Sequence, residues 1–361
     1  MGFNHTHYVP SLKGRAGEYG ALQVMTAEVK TALTPLIEIP PIPWDFDDDQ
    51  PAKTIDQHLE KVVPKVSQAW GVERPVFVDL LWIGPDERMA GGEHPLTYVF
   101  RTARQNDLQP IPVTGLVRDE DYQSACREAI QQDRRGVCIR LQGEDFEDID
   151  DLTAQVAALL DMLGLSPGES DLLLDLRAVG VNEGNTLLAA VPVLVRSIPQ
   201  LERWRSFVLA ATAFPEDLMG LQPSSISLIT RVGWIVWRTL ITRSRVPRLP
   251  AFGDYAIAHP QPSEVDPRIM RPSASIRYTT DDAWLILKGR NLRDYGYTEF
   301  YDVCRDLIRR PEYSGAGFSW GDWYIDECAN QRVGTGNLTT WRKVGTSHHL
   351  AVVTRQIASL A

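Results

Sequence analysis

Short, almost wholly apolar runs bounded by turn residues recur along the first 260 residues. They fall at 7–12 (HYVPSL), 34–39 (TPLIEI), 75–82 (PVFVDLLW), 109–114 (QPIPVT), 136–141 (GVCIRL), 170–176 (SDLLLDL), 206–212 (SFVLAAT) and 252–258 (FGDYAIA). Runs with no polar alternate are what strands buried on both faces require, as in a parallel sheet. Their starts are 27 to 46 residues apart, the length that a strand, a crossover helix and a return strand consume. Apolar positions at three- and four-residue spacing fill the gaps and predict helices over 18–30, 55–69, 96–105, 121–132, 149–163, 185–198 and 226–241. Eight strands alternating with seven helices predict an α/β fold, a closed (β/α)8 TIM-like barrel over residues 1–260; an open doubly wound sheet usually stops at five or six strands. Residues 261–361 predict a hairpin (274–279 with 284–288), helices near 297–309 and 322–330, and a final helix around 348–360. They form a C-terminal α+β extension, packed on the barrel, that contains the last barrel helix and caps the strand-end face.

Barrels of this kind place their working residues at the C-terminal ends of the strands and in the loops that follow. The first strand runs into Lys13 and Arg15, the second holds Glu38, the third Asp79, the fifth Arg140, the sixth Asp175 and Arg177, and the eighth Asp254 and Tyr255. An ionisable side chain inside an apolar strand is costly unless paired. Glu38, Asp79, Arg140 and Asp175 are therefore either bridged to one another as a structural layer or part of a ligand pocket.

The net charge of −10 is unevenly distributed, with 19 Lys and Arg against 34 Asp and Glu in residues 1–230, and 18 against 13 thereafter. Six of the ten tryptophans lie in the last third (Trp234, Trp237, Trp284, Trp320, Trp323, Trp341), interleaved with arginines. Rings that stack on bases and guanidinium groups that pair with phosphate are the requirements of nucleotide or single-strand binding; a large aromatic core with solvated arginines gives the same pattern. Four separated cysteines without CxxC spacing read as buried thiols. No apolar run reaches the ~18 residues of a membrane span, and the opening MGFNHTHYVP has no basic leader; a cytoplasmic protein with no membrane partner is expected.

The sequence has no GxGxxG opening a helix, no GxxxxGK[ST], no GxSxG and no HExxH. His5 and His7 precede the first strand instead of ending it, so they do not make a barrel metal site. In the tail, Trp320 and Asp322 lie in SWGD, and Gly334–Asn337 opens a helix that carries Arg342 and His349. Helix-terminal amides beside Arg342 suit an anion, and His349 is the side chain able to titrate near neutral pH beside fixed charges. The tail is expected to bring Asp322, Arg342 and His349 to Lys13 and Glu38.

Tyr8-Val-Pro-Ser-Leu-Lys13-Gly-Arg15 with Glu18 and Pro35-Leu-Ile-Glu38, then Cys138-Ile-Arg140, Gly253-Asp254-Tyr255, Ile276-Arg277-Tyr278-Thr279, Ser319-Trp320-Gly321-Asp322, Trp341-Arg342 and His348-His349, resemble the bacterial and phage "beta family protein" group over the whole chain. Gly233 stands where that group carries an acidic residue. The resemblance implies a setting in phage–host conflict beside nuclease-like proteins, and brings no settled reaction. Two functions are compatible with these residues. In the first, a binding barrel uses Lys13, Arg15, Arg140, Arg177 and Arg342 on phosphate, with Asp254, Tyr255, Trp320, Asp322 and Asn337 lining the ligand and tail tryptophans stacking on bases. In the second, a phosphodiester or nucleotide hydrolase uses Glu38, Asp79, Asp175 and Asp254 as acid, base or ligands to a divalent metal and His349 as proton donor. A third possibility is a structural subunit that docks a nuclease-like partner. No cofactor is indicated outside the hydrolase alternative.

Overall fold

The computed structural model describes residues 2–262, 266 and 268–360. Eight parallel strands close into a barrel: Tyr8–Leu12, Leu36–Glu38, Pro75–Asp79, Gln109–Thr114, Val137–Gln142, Ser170–Ala178, Ser206–Thr212 and Ala251–Asp254. The last pairs with the first in register Tyr8↔Phe252, Val9↔Gly253, Pro10↔Asp254, so no strand edge is left open. The helices between them are Ala16–Gln23, Val62–Trp70, Pro95–Gln105, Glu120–Asp133, Ile149–Leu163, Gly184–Ser197 and Val232–Arg243.

Alternation along each strand sorts the side chains. Val9, Leu36, Phe77, Ile111, Val113, Cys138, Leu173, Val208, Ala210 and Ala251 fill the lower interior as one apolar cluster. Two residues nearer the C-terminal ends the same parity brings Glu38, Asp79, Arg140 and Asp175 inward. The barrel is thus a packed core with a charged layer on top. Gly233, at the start of the seventh helix, lies against the seventh strand so closely that a Cβ there would meet the Ala211 carbonyl oxygen at 2.4 Å; no acidic side chain fits.

Residues 226–230, expected to begin the seventh helix, belong to a strand, Ser225–Thr230. Its S-I-S-L-I-T alternation pairs antiparallel with Ala283–Asn291 over six positions, and Ser273–Thr279 flanks that strand on its other side. Full ladder pairing outweighs an ambiguous helical period. The final helix is also longer than expected, spanning Leu338–Ala358, and it packs on the first helix and the first strand. It is the eighth barrel helix. The hairpin and the helices Glu299–Ile308 and Trp320–Ala329 are inserted between the eighth strand and its helix. Lys288 Nζ donates to the carbonyls of Leu218 and Leu221, after the seventh strand, at 2.7 and 2.6 Å. The inserted sheet therefore sits over the strand-end face. Among the described residues no helix is long and apolar enough to cross a membrane.

Candidate ligand-recognition site

Arg140 is the hub of the strand-end layer, 3% exposed. Its Nε donates to Asp175 Oδ2 at 2.9 Å, Nη1 to Asp79 Oδ2 at 2.8 Å, and Nη2 to Glu38 Oε1 and Asp175 Oδ2 at 2.7 Å and to Tyr255 Oη at 2.6 Å. The other carboxylate oxygens are engaged too. Glu38 Oε2 accepts from Lys13 Nζ at 2.5 Å and Trp82 Nε1 at 3.4 Å. Asp79 Oδ1 accepts from Arg118 Nη2 at 2.6 Å and Leu81 N at 2.9 Å. Asp175 Oδ1 accepts Arg177 N at 2.9 Å, and its Oδ2 also accepts Tyr255 Oη at 2.5 Å and Gln142 Nε2 at 2.8 Å. Lys13, Arg118 and Arg140 thus meet Glu38, Asp79 and Asp175 three against three. Burial alone would raise the Asp175 carboxyl, but the Arg140 charge and hydrogen bonds from Tyr255, Arg140 and Gln142 hold it below its ordinary value. Burial lowers the Lys13 ammonium, an effect that Glu38 offsets in part.

The structure therefore unites Glu38, Asp79, Asp175, Arg140, Lys13 and Tyr255 as predicted from the strand ends, but in paired form. All six carboxylate oxygens are hydrogen-bonded and each of the three charges is answered by a cation. Among the described residues no group of His, Cys, Asp and Glu could hold a metal.

Asp254 and His349 belong elsewhere. Tyr255 points into the barrel, so its neighbour Asp254 points out, behind the wall, where the last helix covers it. His349 Nε2 lies 2.9 Å from Asp254 Oδ2 and its Nδ1 2.8 Å from Thr279 Oγ1, while Tyr8 Oη donates to Asp254 Oδ1 at 2.5 Å. Asp254 is 2% exposed and His349 not at all. Burial lowers the imidazole pKa despite the opposing Asp254, which makes it a neutral ring donating through Nε2 and accepting the Thr279 hydroxyl. A sealed histidine outside the barrel cannot hand a proton to a ligand at the mouth. Asp322 is likewise buried in the extension, accepting from Tyr278 Oη at 2.7 Å and Ser319 Oγ at 2.6 Å with His348 Nδ1 2.8 Å away. Asn337 caps the last helix at the surface. Of the three tail residues expected beside Lys13 and Glu38, only Arg342 reaches the mouth.

The cover of that mouth is the segment after the eighth strand. Lys13 Nζ donates to Pro260 O, Arg177 Nη2 to Gln261 Oε1 at 2.9 Å, and Arg277 and Arg342 each to Ile257 O at 2.9 Å. Arg177 and Lys13 also face the Trp82 ring at 5.7 and 5.3 Å. Two mouth residues, Arg177 and Ala256, have φ of +55° and +53°, a left-handed backbone that costs a non-glycine residue roughly 1–2 kcal/mol. Arg15, Arg177, Arg277 and Arg342 form no ion pair among the described residues, and the side chains of Arg177, Arg277 and Arg342 donate to neutral oxygens. Beside this cover, between the loops after the third and fourth strands, a mostly apolar cleft of about 490 Å³ is lined by Leu80, Ile83, His94, Leu116, Arg118 and Tyr122.

Of the tail tryptophans, Trp234, Trp237, Trp284 and Trp341 are core residues and cannot stack on a ligand. Trp323 is 43% exposed, and Trp320 is half-buried under Lys343 Nζ, 3.8 Å from its ring centre. Arg118, which follows the fourth strand, joins the site through Asp79; Gln142, Trp82 and Arg277 join it without having been predicted as site residues. Arg277 had the faintest signal, a lone cation in an otherwise uncharged strand.

A closed parallel (β/α)8 barrel whose strand-end interior is fixed by ion pairs and whose rim keeps unpaired cations is the class that fold and site define. The chain belongs to the Beta protein family, whose profile matches residues 8–355. No curated protein matches it. Among solved structures it is similar to a type I 3-dehydroquinate dehydratase from Clostridium difficile, at 11% identity and a TM-score of 0.40, over 73% of this chain and 89% of that one. It is also similar to the carboxyl transferase domain of Rhizobium etli pyruvate carboxylase, at 10% identity and a TM-score of 0.37, over 98% of this chain and 48% of that one.

Proposed function

We propose that this barrel recognises a phosphate-bearing ligand, a nucleotide or a nucleic-acid strand, at its strand-end face and does not cleave it. The observation that carries this function is the charge balance of the mouth. All three inward carboxylates are neutralised by Lys13, Arg118 and Arg140, so the charge left over at the rim is positive: Arg15, Arg177, Arg277 and Arg342 against the single buried carboxylate of Glu18. Unpaired guanidinium groups are phosphate recognisers, and Trp323 and Trp320 leave ring surface for a base nearby on the extension. The setting that goes with such recognition is the phage–host conflict implied by the family resemblance, with a nuclease-like protein as partner and the cytoplasm as compartment. The test is binding of a short single-stranded oligonucleotide and of a nucleotide across salt concentrations. Affinity for the oligonucleotide should fall with a log–log slope of about −0.7 per phosphate neutralised, with no hydrolysis product, with or without added Mg²⁺ or Mn²⁺. Salt-independent binding, or no binding of either at low salt, defeats the proposal.

A further inference from the structure

Two cations at the rim stand in an arrangement that folding alone does not explain. Arg277 lies on the strand Ser273–Thr279 and Arg342 on the last helix, yet each donates one Nη1–H to the same acceptor, the Ile257 carbonyl oxygen, at 2.9 Å. A single neutral oxygen holds two guanidinium groups side by side. Neither has an ion-pair partner among the described residues, and their remaining N–H groups are neither hydrogen-bonded nor sealed away from solvent. The buried Glu18 carboxylate is not within ion-pair distance of either; it accepts Arg15 N at 3.3 Å and acts electrostatically on Arg342 and Arg277 from further away. Burial depresses both guanidinium groups, and Arg342 depresses Arg277 further. Glu18 offsets this only in part, and adjacent, partly desolvated like charges gain from a further anion bound beside them.

Their place in the barrel is equally specific. Ile257 follows the eighth barrel strand, and Phe214, over whose ring the Arg277 guanidinium lies at 5.1 Å, follows the seventh. The loops after strands seven and eight are where (β/α)8 barrels assemble phosphate sites. Arg15 adds an exposed cation at the start of the first helix, which packs on Arg342 so tightly that a Cβ at Gly17 would lie 2.7 Å from Arg342 Cβ.

The geometry points to a subsite for a terminal phosphate, formed by the guanidinium N–H groups of Arg277 and Arg342 that Ile257 O leaves unengaged while holding the two side chains together. Two guanidinium forks match a phosphomonoester, which carries up to two negative charges and three free oxygens, better than an internal phosphodiester with one charge and two free oxygens. This inference rests on the phosphate-recognition function above and narrows it to a strand end, or a nucleotide, that carries a terminal phosphate.

The test compares the full-length protein binding one short single-stranded oligonucleotide with a 5′-phosphate and with a 5′-hydroxyl, with inorganic pyrophosphate as competitor. The 5′-phosphorylated strand should bind roughly ten- to hundredfold tighter, the worth of one charged hydrogen-bond set, and pyrophosphate should remove that advantage. Arg277→Gln and Arg342→Gln should each abolish the difference between the strands, and Arg277→Lys, which keeps the charge and loses the fork, should retain part of it. The comparison in the wild-type protein decides the matter even if a variant fails to fold. Equal binding of both strands with a steep salt dependence overturns the subsite and leaves the recognition function standing. An advantage that survives both Gln substitutions also overturns the subsite. Failure of both strands and of pyrophosphate to bind overturns subsite and function together.

Discussion

Arg140→Met is the substitution that interrogates the barrel most directly, because methionine keeps much of the side-chain volume and removes the charge on which three carboxylates converge. After the change Glu38 keeps Lys13 and Asp79 keeps Arg118. Asp175 keeps only neutral donors, Tyr255, Gln142 and the Arg177 amide. Asp175 is thus the buried charge left without a cation. Breaking a buried pair from one side costs about 3–5 kcal/mol, a large part of the ~5–15 kcal/mol that holds a domain together. The cost should depend on pH with a definite sign. In the wild type, burial works to raise the Asp175 carboxyl but Arg140 and the hydrogen bonds hold it low. A lowered carboxyl contributes stability above its unfolded value of about 3.9, lost as pH falls through the folded value. Without Arg140, burial prevails and the folded value rises above 3.9, so stability is lost as pH climbs past about 4. The deficit of Arg140→Met should therefore be greatest near pH 7 and shrink toward pH 4.5, measured as urea midpoints by tryptophan fluorescence. The double variant Arg140→Met/Asp175→Asn should recover a large share, since it removes the stranded charge. Wild-type-like midpoints for Arg140→Met at both pH values, within about 1 kcal/mol, would refute the reasoning, and a double variant no better than the single one would show that Asp175 is not the source.

His349→Gln should flatten the acid limb of the stability profile. A histidine whose folded pKa is lowered by burial favours the folded state fully above its unfolded value of about 6.5, and that contribution is lost as pH falls below it; an unchanged slope between pH 7 and 5 in urea titrations would contradict this assignment, and phosphate binding should keep its pH profile. Gly17→Ala places a Cβ 2.7 Å from Arg342 Cβ and 2.9 Å from the Thr339 carbonyl oxygen. It should cost about 1–3 kcal/mol by overpacking and weaken oligonucleotide binding by shifting Arg342; a stable variant with wild-type affinity would show that the first and last helices can part freely.

The alternation of apolar runs with helical segments was enough to determine the barrel, because strands covered on both faces leave an unambiguous composition and spacing. The same logic marked Glu38, Asp79, Arg140 and Asp175, since a charge inside such a strand has to be answered. What one-dimensional pattern did not decide was which way each charge faces and what answers it. Asp254 and Tyr255 are adjacent and both buried, so burial does not reveal that one turns toward the covering helix and the other into the barrel; only the register of the first and eighth strands settles their parity. The partner of Asp254 comes from a helix some ninety residues later, beyond an insertion whose hairpin recruits to its sheet a strand, Ser225–Thr230, from before the eighth barrel strand. Arg277 and Arg342 likewise come from separate elements and meet only at a backbone carbonyl, an acceptor that every residue carries and no side-chain motif records. Local composition determined the elements and the presence of buried charge; long-range closure of the barrel decided which charges cancel and which remain at the rim.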